Sequence, residues 1–302
     1  MDVRRLELLL ELSRHGSMRA VADELGLTTS TVSQQIAALA REVGTALLEP
    51  DGRRVRLTPA GHRLAGHAVT VLAAVEAARL DLDPTADPAG TVRIGGFSTA
   101  IRRSLVPVSA GLARTHPLVR LHLLEHEPLE AFDLLARDDV DLALVYDYNL
   151  APAPVRADVE TRELWTTAWG LGVPADAPAP PAGAAAADVV AAYANRPWIV
   201  NSRNTADEDA VRTLASLGGF TPEIAHRIDD LALVEELVAG GYGVGLLPQE
   251  RPVADGVRVL GLDGPDVRLR AYAAFRRGRD AWPPLRLVLE RIAADLSGAA
   301  GA

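Results

Sequence analysis

The chain has 302 residues, 48% hydrophobic and 24% charged, which is enough apolar material for two or three cores. Its formal net charge of -9 resides almost wholly beyond residue 80: residues 1–80 carry ten Arg against nine acidic residues, and residues 81–302 carry 21 Arg against 31. The absence of Cys excludes disulfides, thiolate catalysis and Cys-based metal sites, and no stretch reaches the length of a membrane span once its charges are counted.

Asp2, Arg4 and Arg5 give a charged start with no following apolar core, so the expected location is the cytoplasm. Residues 17–39, SMRAVADELGLTTSTVSQQIAAL, then read as two short helices joined by a tight turn. Ser17 is a good N-cap for the first, whose apolar positions are Met18, Val21, Ala22 and Leu25, and Gly26 can end it in a left-handed conformation. Thr28, Thr29 or Ser30 can cap the second, where Val32, Ile36 and Leu39 recur at helical period. The opposite face carries Thr31, Ser33, Gln34 and Gln35, short polar groups suited to hydrogen bonding with base edges and phosphates in a major groove. A generic helical hairpin is the competing reading. Downstream, DGRRVRLTPAG at 51–61 reads as a hairpin turn, a short strand and a new helix. Arg53, Arg54 and Arg56 are placed to act as a wing on the phosphate backbone or, alternatively, to form a solvated face.

From Met1 to Gly61 the sequence resembles the winged helix-turn-helix of LysR-type transcriptional regulators. The matching stretches are Leu6 to Leu12, GSMRAVADELGLTTSTVSQQIAALAREVGTALL and RRVRLTPAG. Two positions depart from the family pattern. Ala40 stands where Glu is usual, and Leu48-Glu49-Pro50 where Phe-x-Arg is usual, so a phosphate-contacting Arg is lost at Pro50. The resemblance implies that Thr29, Ser30, Thr31, Ser33 and Gln34 contact duplex DNA, with Arg53 and Arg54 on the wing. An acidic body would repel DNA, which confines contact to the near-neutral first segment and calls for more than one copy per site.

Thr58 to about Leu82 reads as one long Ala-rich helix with Leu64, Ala68, Val71, Leu72, Val75 and Ala78 on an apolar side. That stripe requires a cover, either a second copy or the chain's own following domain. The resemblance implies a linker helix pairing antiparallel with its mate. DPTADPAG at 83–90 is a punctuated linker.

Beyond it, 91–97, 119–125 and 141–146 read as strands separated by helices at 98–117 and 128–140. Two Trp lie in the segment from Glu160, near an expected change of direction between subdomains. A Pro/Ala-rich loop at 177–188 runs into a helix, and strands are expected at 196–202 and 223–230 around a helix. Residues 231–250 give a helix, a Gly-rich turn and a short apolar strand; 267–278 is another strand and 283–296 a last helix. The alternation indicates α/β architecture with a mostly parallel sheet. It also resembles the effector half of the same family, with GGYGVGLLP at 240–248 as the clearest match.

The expected fold is therefore α/β, with a DNA-binding domain at 1–61, a linker and dimerisation helix at 62–90, and a two-subdomain, periplasmic-binding-protein-like domain at 91–302. Its first subdomain comprises 91–163 and 271–302, its second 168–265. A cleft between them is the expected effector site. Carried over from the family, Ser98 and Thr99 donate to an effector, Arg102 lies one turn on, Asn201 and Ser202 end a strand opposite, and Asp229 ends another. Ser98 and Thr99 can equally be plain N-caps, Arg102 a solvated side chain, and Asp229 the cap of the helix near Leu231. Such hydroxyls, amides and Arg suit an anionic effector.

No G-x-G-x-x-G between strand and helix, P-loop or G-x-S-x-G elbow is present, and His122 and His126 lack a third ligand, so neither a cofactor nor a metal is expected. Two functions compete: a ligand-responsive regulator binding a two-fold DNA site as a homodimer or homotetramer, with RNA polymerase as a further partner, and a small-molecule-binding or enzymatic α/β protein with an N-terminal helical appendage.

Overall fold

The computed structural model describes residues 1–52, 54–83, 86–154, 156–178, 180–181 and 183–299, with Arg54 and residues 297–299 described by their backbone alone. The sequence-expected wing residue Arg53 lies outside the described residues.

Three helices, α1 (Val3–His15), α2 (Met18–Leu25) and α3 (Thr29–Val43), bury one apolar stripe each into a common core of Leu6, Leu9, Leu12, Val21, Val32, Ile36 and Leu39. Gly26 ends α2 at φ 64, where a Cβ would be strained, and lets the chain turn into α3 within three residues. Thr28 is the cap of α3, accepting from the amide of Thr31 at 3.2 Å. Ser17 occupies the cap position of α2 but its hydroxyl makes no capping bond, contrary to expectation.

The wing is the antiparallel hairpin of β1 (Leu48–Asp51) and β2 (Arg54–Leu57), closed by the Asp51–Arg54 pair. Helix α4 (Pro59–Leu82) follows, with Thr58 accepting from Gly61 N at 3.0 Å and Pro59 in the first turn, where its missing N–H is harmless. Gly61 is required sterically, because a Cβ there would meet the Leu47 carbonyl oxygen at 2.4 Å.

The apolar side of α4 is only partly free. Ala65, Ala68, Val69 and Ala73 are buried, and the helix packs on α1 and on the chain's own carboxyl-terminal region around Arg279–Ala281. Thr70 Oγ1 donates to the carbonyl of Arg277 at 3.1 Å. Docking on the chain's own second domain thus accounts for part of the stripe, while Val71, Ala74, Ala78 and Leu82 stay exposed along one side.

The remaining strands form one sheet. In chain order they are β3 (Gly90–Gly96), β4 (Val119–Glu125), β5 (Leu142–Tyr148), β6 (Val159–Pro174), β7 (Pro197–Val200), β8 (Glu223–Arg227), β9 (Val244–Pro248), β10 (Val257–Leu260) and β11 (Val267–Arg276). Their spatial order is β4-β3-β5-β11-β6-β9-β7-β8, with β10 beside β6. The two halves of the bilobed domain are each mostly parallel: β4, β3 and β5 in one, β9, β7 and β8 in the other. Long antiparallel β6 and β11 pair over ten residues and join the halves. The two-Trp segment, expected near a change of direction between subdomains, is a continuous strand that passes from one lobe to the other, and β10 has no counterpart in the sequence reading. Helices α5 (Ser98–Ala100), α6 (Val106–Thr115), α7 (Pro128–Ala136), α8 (Ala186–Ala191), α9 (Ala206–Leu217), α10 (Leu231–Ala239) and α11 (Pro283–Ala299) cover the sheet. A π turn, Ile101–Leu105, fuses α5 to α6.

A buried ion-pair cluster ties the three-helix head to the first lobe. The Arg14 guanidinium, at the end of α1, meets Asp138 at 2.6 Å and Glu11 at 2.5 Å. Asp138 holds a left-handed backbone (φ 62) just after α7, with Arg276 and Arg93 at 3.8 and 4.0 Å. Neighbouring Asp141 accepts a bidentate pair from Arg93 at 3.1 and 3.0 Å and a third bond from Arg279 at 2.7 Å. Burial alone would raise the Asp141 carboxyl, but these hydrogen bonds and positive charges hold it below the usual carboxylate range.

Candidate functional site

Two surfaces carry the chemistry. On α3, Val32, Ile36 and Leu39 are wholly buried, and helical period turns Thr29, Ser30 and Gln34 to solvent on the far side, with Thr31 and Ser33 half-buried beside them. The first-turn hydroxyls form one cluster: Thr28 Oγ1 lies 2.9 Å from Ser30 Oγ and 2.8 Å from Thr31 Oγ1. Gln35 is turned away, since its Oε1 accepts from Arg5 Nε at 2.9 Å. On the wing, Arg56 pairs across the hairpin with Glu49 at 2.8 Å, both side chains well exposed. The expected cluster of three Arg therefore has one member tied to a carboxylate, and Arg54 sits at the first position of β2.

The second surface is a cavity of about 420 Å³ between the lobes. It sits where the parallel strands of both lobes end, which concentrates loop side chains and free helix amides at one place. After β3, Ser98 and Thr99 open α5 and line the cavity; the N-cap position falls on Phe97, so neither hydroxyl serves as the cap. Arg102 and Arg103, in the π turn, line the same wall, with Arg103 lying 4.6 Å over the Trp165 ring. Across the opening, Asn201 follows β7 and Asp229 follows β8.

Asp229 does not cap α10. That role belongs to Asp230, whose Oδ1 accepts from Leu233 N at 2.8 Å. Asp229 instead fastens the 201–203 turn, accepting from Ser202 N at 2.6 Å, from the Ser202 hydroxyl at 2.5 Å and from Arg203 Nε at 2.8 Å. Burial opposes its ionisation, yet these bonds hold the carboxyl below its ordinary range. Ser202 is thereby consumed as a support and is absent from the cavity wall.

Several residues that the sequence reading passed over form the inner end of the cavity. Glu127 follows β4 and is 7% exposed; Tyr146 near the end of β5 donates to its Oε2 at 3.1 Å. Asn201 Nδ2 donates to Tyr146 Oη at 2.7 Å and reaches Glu127 Oε2 at 3.4 Å, a contact between lobes. At the rim, Arg203 bridges to Glu130 of the first lobe at 3.3 Å. Burial pushes the Glu127 carboxyl up to about 7, against the Tyr146 hydrogen bond, and Asp207 beside it up to about 6. Phe97, Tyr146, Trp165 and Trp169 line the wall, and Phe97 makes edge contacts with Tyr146 and Trp165 at 4.7 and 6.1 Å. One signal pointed to Glu127 and Tyr146: every strand end contributes, so the segments after β4 and at the end of β5 matter as much as the one after β3.

Family models match both parts of this architecture: residues 3–62 match the bacterial regulatory helix-turn-helix protein, lysR family, and residues 85–297 the LysR substrate binding domain. The chain belongs to the LysR family. A probable hydrogen peroxide-inducible genes activator of Mycobacterium avium is 30% identical over 91% of this chain and 84% of its own length. The transcriptional dual regulator GltC of Bacillus subtilis is 29% identical over 82% and 81%. A full-length OxyR variant from Pseudomonas aeruginosa, at 21% identity, covers 98% of this chain and 94% of its own with a TM-score of 0.72, a likeness of fold. Family membership decides between the two functions the sequence left open: this LysR protein is a ligand-responsive, DNA-binding transcriptional regulator. Among the described residues no helix is long and apolar enough to cross a membrane.

Proposed function

We propose that the protein binds a two-fold promoter site as a homodimer or homotetramer, and that a small molecule held between the lobes alters how its DNA-binding domains are placed. The observation that carries this reading is the division of α3 into a wholly buried apolar stripe and a solvent-facing edge of Thr29, Ser30 and Gln34, with the wing hairpin following in the same domain. Thr29, Ser30, Thr31, Ser33 and Gln34 contact the groove or its phosphates, and Arg53 and Arg54 contact the backbone from the wing. The exposed line of Val71, Ala74, Ala78 and Leu82 on α4 pairs with a second copy. RNA polymerase is the further partner at the promoter.

Within the cleft, Ser98, Thr99 and Arg102 receive an anionic group of the effector. Arg102 is exposed on the cavity wall, whereas Arg251 is paired with Glu235 and Arg103 lies against Trp165. A response follows only if the effector prefers one lobe arrangement, since equal affinity shifts nothing. With no Cys in its 302 residues, the chain has no thiol with which to sense an oxidant.

Site panels bound by full-length protein test the assignments. Gln34→Ala is expected to change preference among sites, and Arg53→Ala to weaken all sites alike and flatten the salt dependence. Equal loss on every site for both variants would contradict this division of roles.

A further inference from the structure

The inner end of the cleft is built for the opposite charge from its mouth. Asn201, 4% exposed, directs its Nδ2 to Tyr146 and Glu127, which leaves its Oδ1 buried with no partner. Asp207 Oδ1 is also buried without a well-aligned bond of its own, although its carboxyl lies beside the Tyr148 hydroxyl and the Asn201 backbone N–H, both of which favour its charged form. Both residues line the cavity together with the Glu127 carboxyl. Buried acceptors without donors are unfavourable, and two neighbouring carboxyls out of water repel one another. Nearby cations relieve this only in part: the charge of Arg203 reaches Glu127, but burial outweighs it, and Arg203 is paired with Asp229 and Glu130 while Arg251 is paired with Glu235. The walls leading to this end include Phe97, Trp165 and Trp169, which accommodate an apolar body; the Trp165 ring already carries the Arg103 guanidinium.

We propose that the effector carries a protonated amine that seats among Glu127, Asn201 and Asp207, with its apolar body along Phe97, Trp165 and Trp169. An ammonium supplies three N–H donors and one positive charge, which matches the unpartnered Asn201 oxygen and the two carboxyls once a small side-chain shift admits it. This rests on the reading of the interlobe cleft as the effector site. Taken with an anionic group at Ser98, Thr99 and Arg102, it makes an amino acid or related zwitterion the fitting class.

Calorimetric titration of the full-length protein at pH 8 with three probes of one shape tests the assignment: 2-phenylethylamine, 2-phenylethanol and 3-phenylpropionate. The amine is expected to bind about tenfold or more tightly than the alcohol, as a charge-assisted hydrogen bond requires. Glu127→Gln should remove that preference, and Arg102→Ala should leave it in place. An alcohol that binds as well as the amine, or an amine whose affinity survives Glu127→Gln, would overturn the amine seat. Binding of the propionate alone, weakened by Arg102→Ala, would overturn the amine seat and leave the cleft reading standing. No binding by any probe to protein shown to be folded by circular dichroism would overturn both.

Discussion

The raised carboxyl of Glu127 makes a stability prediction that needs no ligand. In the folded chain its proton is held up to about 7, against an ordinary value of 4.5, chiefly because burial disfavours the charge. Below the ordinary value both folded and unfolded chains carry the proton and the group is neutral in effect. Between the two values the folded chain keeps a proton that the unfolded chain has lost, so stability falls as pH rises; above about 7 the full burden is present. At 1.36 kcal/mol per pH unit the ceiling is about 3 kcal/mol. Gln cannot ionise, and its amide oxygen can still accept from Tyr146. Glu127→Gln is therefore expected to match the parent near pH 5 and to become more stable by up to about 3 kcal/mol at pH 8. Urea unfolding of both proteins from pH 5 to 8 at fixed ionic strength reads this difference directly, and Asp207, which has the same sign, is common to both. A difference that stays flat, or one in which the variant weakens as pH rises, would refute the desolvated inner end.

Other substitutions separate the forces at work. Arg14→Ala removes the closest cation from Asp138, whose side chain is 4% exposed, and should cost about 3 kcal/mol; Arg19→Ala, in a pair exposed at 87% and 76%, should cost under about 0.5 kcal/mol by the same denaturation assay. Gly61→Ala forces a Cβ against the Leu47 carbonyl and should lower stability by about 1–3 kcal/mol while weakening DNA binding measured by fluorescence anisotropy. Between the lobes, Asn201→Ala should cost about 1 kcal/mol by removing the bond that the buried Tyr146 hydroxyl accepts while it still donates to Glu127, and Arg203→Ala, at the half-exposed rim, no more than about 1 kcal/mol. Val71→Glu should shift the sedimentation coefficient towards a monomer, since a charge is placed on the exposed line of α4.

What the sequence disclosed depended on whether a signal was local. Gly26, Thr28 and the Val32-Ile36-Leu39 spacing report a turn, a cap and an apolar stripe through their immediate neighbours, and all three stand in the structure. Ser17 failed as a capping side chain because position permits a cap bond without forming it. The two-Trp segment disclosed a passage between subdomains but not its form, because a strand shared between lobes has the same residue pattern as one that ends between them; only its pairing with β11 and β9 distinguishes the cases. Glu127, Tyr146 and Asp207 become a site only when β4, β5 and α9, far apart along the chain, are brought together. A lone Glu before Pro128 otherwise reads as a helix start. Asp229 lies one residue from a true cap, Asp230, and its bonds to Ser202 and Arg203 depend on the parallel pairing of β7 with β8. The cover of α4 was equally non-local: it depends on where Arg277 arrives, 207 residues after Thr70.

Sequence-specific recognition of duplex DNA by a pair of α3 helices is the property on which the proposed function depends. Selection from a random duplex pool at physiological salt, followed by titration of the selected site with full-length protein, tests it most directly. A palindromic site bound at least about a thousandfold more tightly than scrambled DNA is expected, with half-sites one or more helical turns apart. Selection of no sequence over the starting pool would contradict the account, and Pro50, where the family pattern carries an Arg, would be the first residue to reverse.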